Sequence, residues 1–444
     1  MLHLHRYTRH YPKLIKLGLP ILVGQLGMII VAFADNIMVG RYSTPALASA
    51  SFVNSVFNIA ILACIGFSYG LTPLMGALFH KGEKQAIGSM MRTGLILNVA
   101  FAILLTVIMT VVYFNLHHLG QPTELLPIIR PYYIIVLSGI IPVAVFNAFA
   151  QWSYSITNSR MPMWIILAAN ALNIIGNYAL IYGHFGLPEM GLTGAGISTL
   201  AARIFCAAAI IMVFFISRRY SHYSTGFRKS RTKPGEYASV FSTSWPVALQ
   251  MSMETASFSL SAVMAGWIDA LSLAALQIII ITGTLGFCIY YSLGAAIAVY
   301  VANACGSDDR SLPREVAMSG YHIMLLLMSI STIVLSLAGR NLIDAFSDDP
   351  AVLCLTYTLI FPLLLYQLCD ATQITFANAL RGTSHVLPMM WIALVSYILI
   401  GLPATYCLAF TLDLGVYGIV LSYSVSLLSA AVLFLYFFMR VTRR

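Results

Sequence analysis

Three carboxylic acids stand in long stretches of sequence that are otherwise uncharged: Asp35, Glu254 and Asp370. An acidic side chain at membrane depth costs roughly 2.5–3.5 kcal/mol on insertion scales, so it is rarely placed there for packing alone. One interpretation is a protonated acid that shares a hydrogen bond with a neighbouring helix. The other is a relay for protons or metal cations, and the set of three favours it because intramembrane acids typically mark ion pathways.

Amide and hydroxyl side chains accompany the first acid. Asn173 and Asn177, with Asn170 before them, repeat at helical spacing and therefore share one face of a helix. Asparagine also joins membrane helices by hydrogen bonds worth about 0.6 kcal/mol on average, which is the alternative for any one of them. Together with Thr199 and Asp35 they predict an oxygen-lined pocket. Such a pocket suits Na⁺, and the carboxylate alone suits a proton, so these residues do not choose the ion.

A second polar set accompanies the other two acids. Gln250 and Glu254 are four residues apart, and Tyr366, Asp370 and Gln373 form one stripe of a later helix. Two carboxylates with several hydrogen-bonding groups could hold a cation, relay a proton or pair with a positively charged substrate. All three possibilities stay open at the level of sequence.

The elements that must position these side chains are membrane-spanning helices. The chain of 444 residues is 59% hydrophobic and 9% charged, whereas soluble domains carry about 25% charged residues. A helix needs about 20 apolar residues to cross the hydrocarbon, and a membrane β-barrel would alternate polar and apolar residues. The sequence therefore predicts an all-α integral membrane protein with twelve transmembrane helices. The predicted spans lie near residues 14–38, 46–78, 89–114, 127–150, 162–183, 190–216, 238–264, 272–304, 316–338, 352–378, 386–411 and 415–439.

The two halves of the chain repeat one design at an offset of about 225 residues. LPILVGQLGMIIVAFADNIMVGRYSTPALA (19–48) aligns with WPVALQMSMETASFSLSAVMAGWIDALSLA (245–274), and PMW (162–164) aligns with PMMW (388–391). Six spans per half insert both halves in the same orientation, as in transporters built from parallel repeats. We therefore predict two pseudo-symmetric six-helix bundles around a central cavity. Their predicted bounds are an N-terminal lobe at 1–216, a basic cytoplasmic linker at 217–237 and a C-terminal lobe at 238–444.

The net charge of +9 is concentrated on one side of the predicted membrane. With the N-terminus in the cytoplasm, 20 of the 24 Lys and Arg residues lie in cytoplasmic segments, three lie outside and Arg203 lies within a helix. This bias predicts that both termini are cytoplasmic. We expect the protein to lie in the plasma (inner) membrane. The bias also argues against a nucleic-acid partner, because the basic linker is expected to meet anionic lipid headgroups.

The chain resembles the multidrug and toxic compound extrusion (MATE) family along its whole length, and most of all its NorM-type branch. The resemblance is carried by LPILVGQLGMIIVAFADNIMVGR in span one, by NALNIIGNYALIYG and GLTGAGIST in spans five and six, and by YQLCDATQITFANALRGTSH in span ten. It implies export of amphipathic, often cationic compounds, driven by inward movement of Na⁺ or H⁺. It also implies no enzymatic activity, no catalytic residue and no bound cofactor.

The resemblance implies a cation site in the N-terminal lobe. This site is expected at Asp35, Asn173, Asn177 and Thr199, near the backbone carbonyl of Ala195. Some relatives carry Asp where this chain has Asn177, and that departure leaves the choice between Na⁺ and H⁺ open.

A second site for a cation or a substrate is implied in the C-terminal lobe. It is expected at Glu254, Tyr366 and Asp370, to which helical spacing adds Gln250. Because both sets of acids are present, the lobe that couples ion movement to export is also open.

The expected activity is antiport by alternating access, performed by a monomer whose partners are a monovalent cation, amphipathic substrates and membrane lipids. A flippase for a lipid-linked oligosaccharide is the nearest alternative, but it would favour a more basic cavity than one Arg and three acids provide. An intramembrane aspartyl protease is disfavoured because its GxGD signature is absent. A channel is disfavoured because no filter loop is recognisable.

Overall fold

The computed structural model describes residues 6–118, 124–344, 346 and 349–443, and all regular structure within these residues is helical. The first five residues of the predicted N-terminal segment lie outside this part of the chain. The helices are α1 (Tyr11–Tyr42), α2 (Thr44–Tyr69), α3 (Leu71–His80), α4 (Lys84–Phe114), α5 (Leu126–Ser138), α6 (Ile140–Ser155), α7 (Arg160–Tyr182), α8 (Gly191–Ile216), α9 (Ser221–Lys229), α10 (Glu236–Ile268), α11 (Ala270–Cys305), α12 (Leu312–Asp344), α13 (Pro350–Thr358), α14 (Ile360–Gly382), α15 (Leu387–Ala393), α16 (Leu402–Tyr406) and α17 (Gly415–Val441).

Most of these helices are long and apolar enough to cross a membrane. Among the described residues ten helical stretches meet that description, with α2–α3, α5–α6 and the segment 387–411 each counted as one. The pair α13 and α14, bent by 46°, forms an eleventh. The one remaining predicted span, 238–264, corresponds to α10. This helix has 33 residues but is more polar than the others, because it carries Gln250, Glu254 and several serines. The all-α membrane fold expected from the sequence is confirmed.

Equivalent residues begin the second helix of each sequence repeat. Ser43 caps α2, where its hydroxyl accepts a hydrogen bond from the N–H of Ala46 at 3.4 Å. Asp269 caps α11 in the same way and accepts from the N–H of Ser272 at 2.5 Å. Such caps satisfy N–H groups that have no partner inside the helix. The repeat therefore keeps the cap while it changes the capping side chain.

The eleventh predicted span departs from regular α-helical geometry. Between α15 and α16, Leu394–Gly401 is π-helical, and a second π-helical segment follows at Cys407–Thr411. A π-helix hydrogen-bonds from i to i+5 and so takes up more residues per turn than an α-helix. The PMMW motif at the start of this span contains one methionine more than the aligned PMW of the first half.

Packing divides the chain into two compact units. The N-terminal unit is Val23–Ala248, and the C-terminal unit is Met1–Leu22 with Leu249–Arg444. Two helices therefore contribute to both units: α1 passes between them two residues after Pro20, and α10 does so two residues after Pro246. The bounds of these units are set by packing contacts, whereas the predicted lobes at 1–216 and 238–444 are set by the sequence repeat. The two divisions therefore differ, and the lobes stay a prediction.

Specific contacts explain why the start of α1 belongs to the C-terminal unit. Glu315 of α12 is buried and accepts a hydrogen bond from Nη2 of Arg9 at 2.8 Å. Arg6 forms an ion pair with the same carboxylate. The chain before α1 is thereby fastened to α12.

The start of α10 is fastened to the N-terminal unit by a similar arrangement. Glu236 is buried and accepts hydrogen bonds from the hydroxyls of Ser89 and Thr93 on α4, each at 3.3 Å. It also accepts from the backbone N–H of Lys233 at 2.9 Å. In both units a buried carboxylate joins the segment before the first helix of a repeat to the third span of the other repeat.

Candidate functional site

The N-terminal unit brings together the four residues predicted for its cation site, which we call the Asp35 cluster (Asp35, Asn173, Asn177 and Thr199). Nδ2 of Asn177 donates a hydrogen bond to Oδ1 of Asp35. With its amide oriented so that both ends find partners, Asn173 donates to Oδ1 of Asp35 at 2.9 Å and accepts from the hydroxyl of Thr199 at 3.1 Å. Two amides thus hold one carboxylate oxygen, and Thr199 joins the cluster through Asn173.

Close approach of three helices positions the Asp35 cluster. A Cβ at Gly27 of α1 would lie 2.8 Å from Nδ2 of Asn170 on α7, so glycine permits this contact. Between α7 and α8, a Cβ at Gly176 would lie 3.2 Å from Cβ of Ser198. The Ser198 hydroxyl donates to the backbone oxygen of Asn173 at 2.7 Å. Small residues that let membrane helices approach closely are a common packing device, and here they bring the acid of α1 to the amides of α7.

A positive charge lies near the Asp35 cluster. Arg203, one turn beyond Thr199 on α8, is close enough to interact electrostatically with Asp35 and with Tyr132. Its guanidinium lies against α5–α6, because a Cβ at Gly139 would be 2.6 Å from Nη1. Arg203 therefore supplies a positive charge near the acid.

The C-terminal unit brings together the other predicted set, which we call the Glu254 cluster (Gln250, Glu254, Tyr366 and Asp370). Nε2 of Gln250 donates to Oε2 of Glu254 at 2.7 Å. Asp370 on α14 is buried and close enough to interact electrostatically with Glu254. Tyr366 lies one turn before Asp370 and packs edge-on against Tyr423, with ring centroids 6.1 Å apart. The two acids that sequence could not place together are therefore neighbours.

A residue that sequence reasoning missed completes the Glu254 cluster. The hydroxyl of Tyr397, in the π-helical segment, lies close enough to the carboxylate of Glu254 to interact with it. It accepts a hydrogen bond from Nε2 of Gln373 at 2.9 Å. The repeat contained a usable signal, because Tyr397 follows Trp391 by six residues just as Asn170 follows Trp164.

The position in the C-terminal unit that corresponds to the Asp35 cluster is occupied by hydroxyl groups. Ser261 aligns with Asp35 in the repeat, and its Oγ lies 3.5 Å from Oγ1 of Thr405. Thr405 in turn shares a hydrogen bond of 2.7 Å with Oγ of Ser422. We call Ser261, Thr405 and Ser422 the hydroxyl trio. It lies on the same three spans of its half as the Asp35 cluster, but it carries no charge.

The donor groups of both acidic clusters are oxygen-rich. Within the described ranges, no group of three or more His, Cys, Asp or Glu side chains converges as a metal-binding set. Each cluster instead combines carboxylates with amide and hydroxyl groups, which are ligands for hard cations, and each acid can also carry a proton. That either cluster binds an ion stays a prediction.

The fold defines a class of protein: an all-helical membrane protein. A eukaryotic MATE transporter of known crystal structure superposes with a TM-score of 0.88 at 18% identity, covering 99% of this chain and 98% of that one. A multidrug resistance MATE transporter solved in an outward-facing conformation superposes equally well, at 15% identity. These similarities show that the chain has the twelve-helix MATE fold, as predicted.

Sequence comparison gives the family. The MatE family model matches residues 20–179 and again 246–407, so it recognises both repeats and most of the chain. The chain belongs to the MatE family, a family of transporters rather than enzymes. A probable multidrug resistance protein NorM of Photorhabdus laumondii is 28% identical over 409 residues, which are 91% of this chain and 88% of that protein. The multidrug resistance protein NorM of Vibrio cholerae is 25% identical over 97% of this chain and 95% of its own length.

Proposed function

We propose that the protein exports amphipathic, often cationic compounds across the plasma membrane in exchange for Na⁺ or H⁺. The observation that carries the proposal is the pair of acidic clusters on membrane-spanning helices of a chain that belongs to the MatE family. Relatives over nearly the full length are multidrug resistance proteins. An acid inside a membrane segment is a ligand for either a small cation or a positively charged substrate.

The exchange follows from competition for the same carboxylates. When Na⁺ or H⁺ arrives from outside, it neutralises an acid and the cluster loses its attraction for a cationic compound, which is released. When the ion leaves on the inner side, the acid is charged again and a cationic compound can bind. One elementary charge that crosses 100 mV supplies about 2.3 kcal/mol, enough for a roughly fifty-fold gradient of the exported compound.

Each cluster has side chains that fit these two states. In the Asp35 cluster, the amides of Asn173 and Asn177 donate to the ionised carboxylate. Oδ1 of Asn177 is buried with no hydrogen-bond partner among the described residues, so it is available to a cation. In the Glu254 cluster, Gln250 donates to Glu254 while Asp370 adds a second negative charge. Coordination by oxygen atoms from several side chains is the chemistry that Na⁺ requires.

The basic linker is proposed to contact anionic lipid headgroups on the cytoplasmic side, where both termini would also lie. Arg92 of α4 fixes the linker by donating to the backbone oxygens of Phe227 and Ser230 at 2.9 and 2.7 Å. Arg218 and Arg219 remain exposed directly beyond Ile216, which is itself 73% exposed at the end of α8. Basic side chains near a membrane surface attract anionic lipids by about 1 kcal/mol each. We further propose that the protein acts as a monomer and takes no nucleic acid.

The test is transport by the purified protein in liposomes under an imposed Na⁺ or pH gradient, with ethidium as substrate. Asp35→Asn, Glu254→Gln and Asp370→Asn remove one acid each. Asp413→Asn is the matched control, because it makes the same change in an exposed loop residue whose φ of 53° suits Asn.

Gradient-driven ethidium transport is expected to fall about tenfold or more in Glu254→Gln and Asp370→Asn, and to be unchanged in the control. Wild-type transport in all three acid variants would contradict the proposal. Movement of a lipid-linked sugar in place of ethidium would favour a flippase.

A further inference from the structure

Tyr397 is a buried tyrosine whose hydroxyl and backbone oxygen reach the first and fourth spans of its own half. Its side chain is 1% exposed. Its hydroxyl lies between Glu254 of α10 and Gln373 of α14, and its backbone oxygen accepts a hydrogen bond from the hydroxyl of Ser257 at 3.2 Å. A buried tyrosine hydroxyl needs such partners because leaving it unpaired costs free energy.

The direction of these hydrogen bonds follows from the groups involved. An amide N–H can only donate, so the oxygen of Tyr397 accepts from Nε2 of Gln373. The hydroxyl hydrogen is then free to point at Glu254. The carboxylate accepts a hydrogen bond from Gln250 at 2.7 Å, and the Tyr397 hydroxyl is close enough to serve as a second donor. Hydrogen bonds to a charged group are among the strong ones in proteins.

The backbone around Tyr397 is built to deliver this hydroxyl. Tyr397 lies within the π-helical segment Leu394–Gly401, and π-helical turns occur frequently at functional sites. By its distance from the aligned tryptophan, Tyr397 corresponds to Asn170, which precedes the two amides of the Asp35 cluster on α7. The fifth span of each half thus places polar groups next to an acid of the first span.

We propose that Tyr397 is a positioning residue of the Glu254 cluster, whose hydroxyl holds the Glu254 carboxylate in the geometry that receives the driving ion. This inference rests on the proposed function and adds a residue to its site. The ion binds the carboxylate that the hydroxyl orients, so the hydroxyl contributes to how strongly the ion is held.

The test compares Tyr397→Phe with wild type in nanodiscs, using Na⁺ titration of intrinsic tryptophan fluorescence at several pH values and the thermal unfolding temperature. The variant removes one oxygen atom and keeps the ring. Tyr133→Phe is the matched control, because it loses a hydrogen bond from an equally buried hydroxyl to the backbone oxygen of Met109, in the other unit.

The half-saturating ion concentration is expected to shift about tenfold in Tyr397→Phe and not at all in Tyr133→Phe. If the ion is Na⁺, the shift is toward higher Na⁺, because the carboxylate is less well oriented.

Other ionisable groups contribute to any pH dependence at this place. The ionisable side chains around Tyr397 are the two acids, Glu254 and Asp370, and three tyrosines, Tyr366, Tyr290 and Tyr423. All of them are retained in Tyr397→Phe, so the difference between the variant and wild type isolates the hydroxyl.

Three outcomes separate the inference from the function on which it rests. Wild-type ion dependence in Tyr397→Phe, together with an altered dependence in Glu254→Gln, would overturn the role of Tyr397 alone. Wild-type dependence in both would overturn the role of the whole cluster. If Tyr397→Phe does not fold, Gln373→Leu, which removes the donor to the hydroxyl, must show a shift in the same direction for the inference to stand.

Discussion

The Asp35 cluster and the hydroxyl trio lie at corresponding places in the two halves, and only one of them carries an acid. Both are formed by the first, fifth and sixth spans of a repeat. In the N-terminal unit these spans supply Asp35 with two asparagines and Thr199, whereas in the C-terminal unit they supply Ser261, Thr405 and Ser422. The repeat therefore fixes where helices approach each other, and it leaves the chemistry at that place free to differ.

The C-terminal unit carries its acids elsewhere. Glu254 precedes Ser261 by two helical turns on α10, and Asp370 comes from the fourth span of the half. Two carboxylates interact there, while the single carboxylate of the Asp35 cluster has Arg203 nearby. Since a cation is attracted by each carboxylate and repelled by the guanidinium, the Glu254 cluster is expected to bind a cation more tightly than the Asp35 cluster.

The largest expected effect comes from removing both acids of the stronger cluster. We expect Glu254→Gln combined with Asp370→Asn to lower ion-driven ethidium transport about hundredfold, because no charge is left to attract the ion. Asp35→Asn should lower it less than tenfold. Transport rates in liposomes at equal protein content measure both. A larger loss in Asp35→Asn than in the double variant would reverse the order of the two clusters.

The next effect concerns the positive charge beside Asp35. Arg203→Gln should strengthen binding of the driving ion at the Asp35 cluster on the order of threefold, since a charge that opposes the ion is removed. Ion titrations in the Glu254→Gln, Asp370→Asn background isolate this cluster. Arg130→Gln, an exposed arginine on α5, is the control. An unchanged midpoint in Arg203→Gln would mean that this arginine only packs against Gly139.

Much of this arrangement was predictable from the sequence, because charge and helical period are local properties. An acid in an uncharged stretch is recognisable without a fold, and the spacing of Asn173 and Asn177 places them on one face of α7. The twelve spans followed from hydropathy for the same reason.

Other features depend on tertiary contacts and could not be predicted. The role of Tyr397 depends on a π-helical segment, whose residues do not follow the period of an α-helix. The division of α1 between two compact units depends on Glu315, which is more than 300 residues from the arginines that it binds. The proximity of Glu254 to Asp370 likewise depends on the tertiary fold, because the two residues lie on helices far apart in the sequence.

The hydroxyl trio provides a smaller effect that sharpens the comparison. Thr405→Val keeps the shape of the side chain and removes the hydroxyl that Ser422 contacts at 2.7 Å. We expect the free energy of unfolding to fall by about 1 kcal/mol, with ion dependence unchanged because no acid is involved. Thermal unfolding and ion titration on the same sample measure the two quantities. A shifted ion dependence would show that the trio takes part in ion binding after all.

The smallest effect distinguishes the two equivalent helix caps. The backbone N–H of Ser272 donates to Asp269 and holds the pKa of that carboxyl below its usual range, whereas Ser43 does not titrate. Because the pKa is lower in the folded chain, the stabilisation by Asp269 is complete above the unfolded value of about 4 and is lost as the pH falls through the folded value. Asp269→Asn keeps a capping oxygen without this titration, so its unfolding temperature should fall slightly less than that of wild type when the pH is lowered from about 5 to about 3. Asp413→Asn serves as the control for the loss of one exposed acid. If the unfolding temperatures of wild type and Asp269→Asn fall in parallel, the charge of Asp269 adds no stability beyond that of a neutral cap such as Ser43.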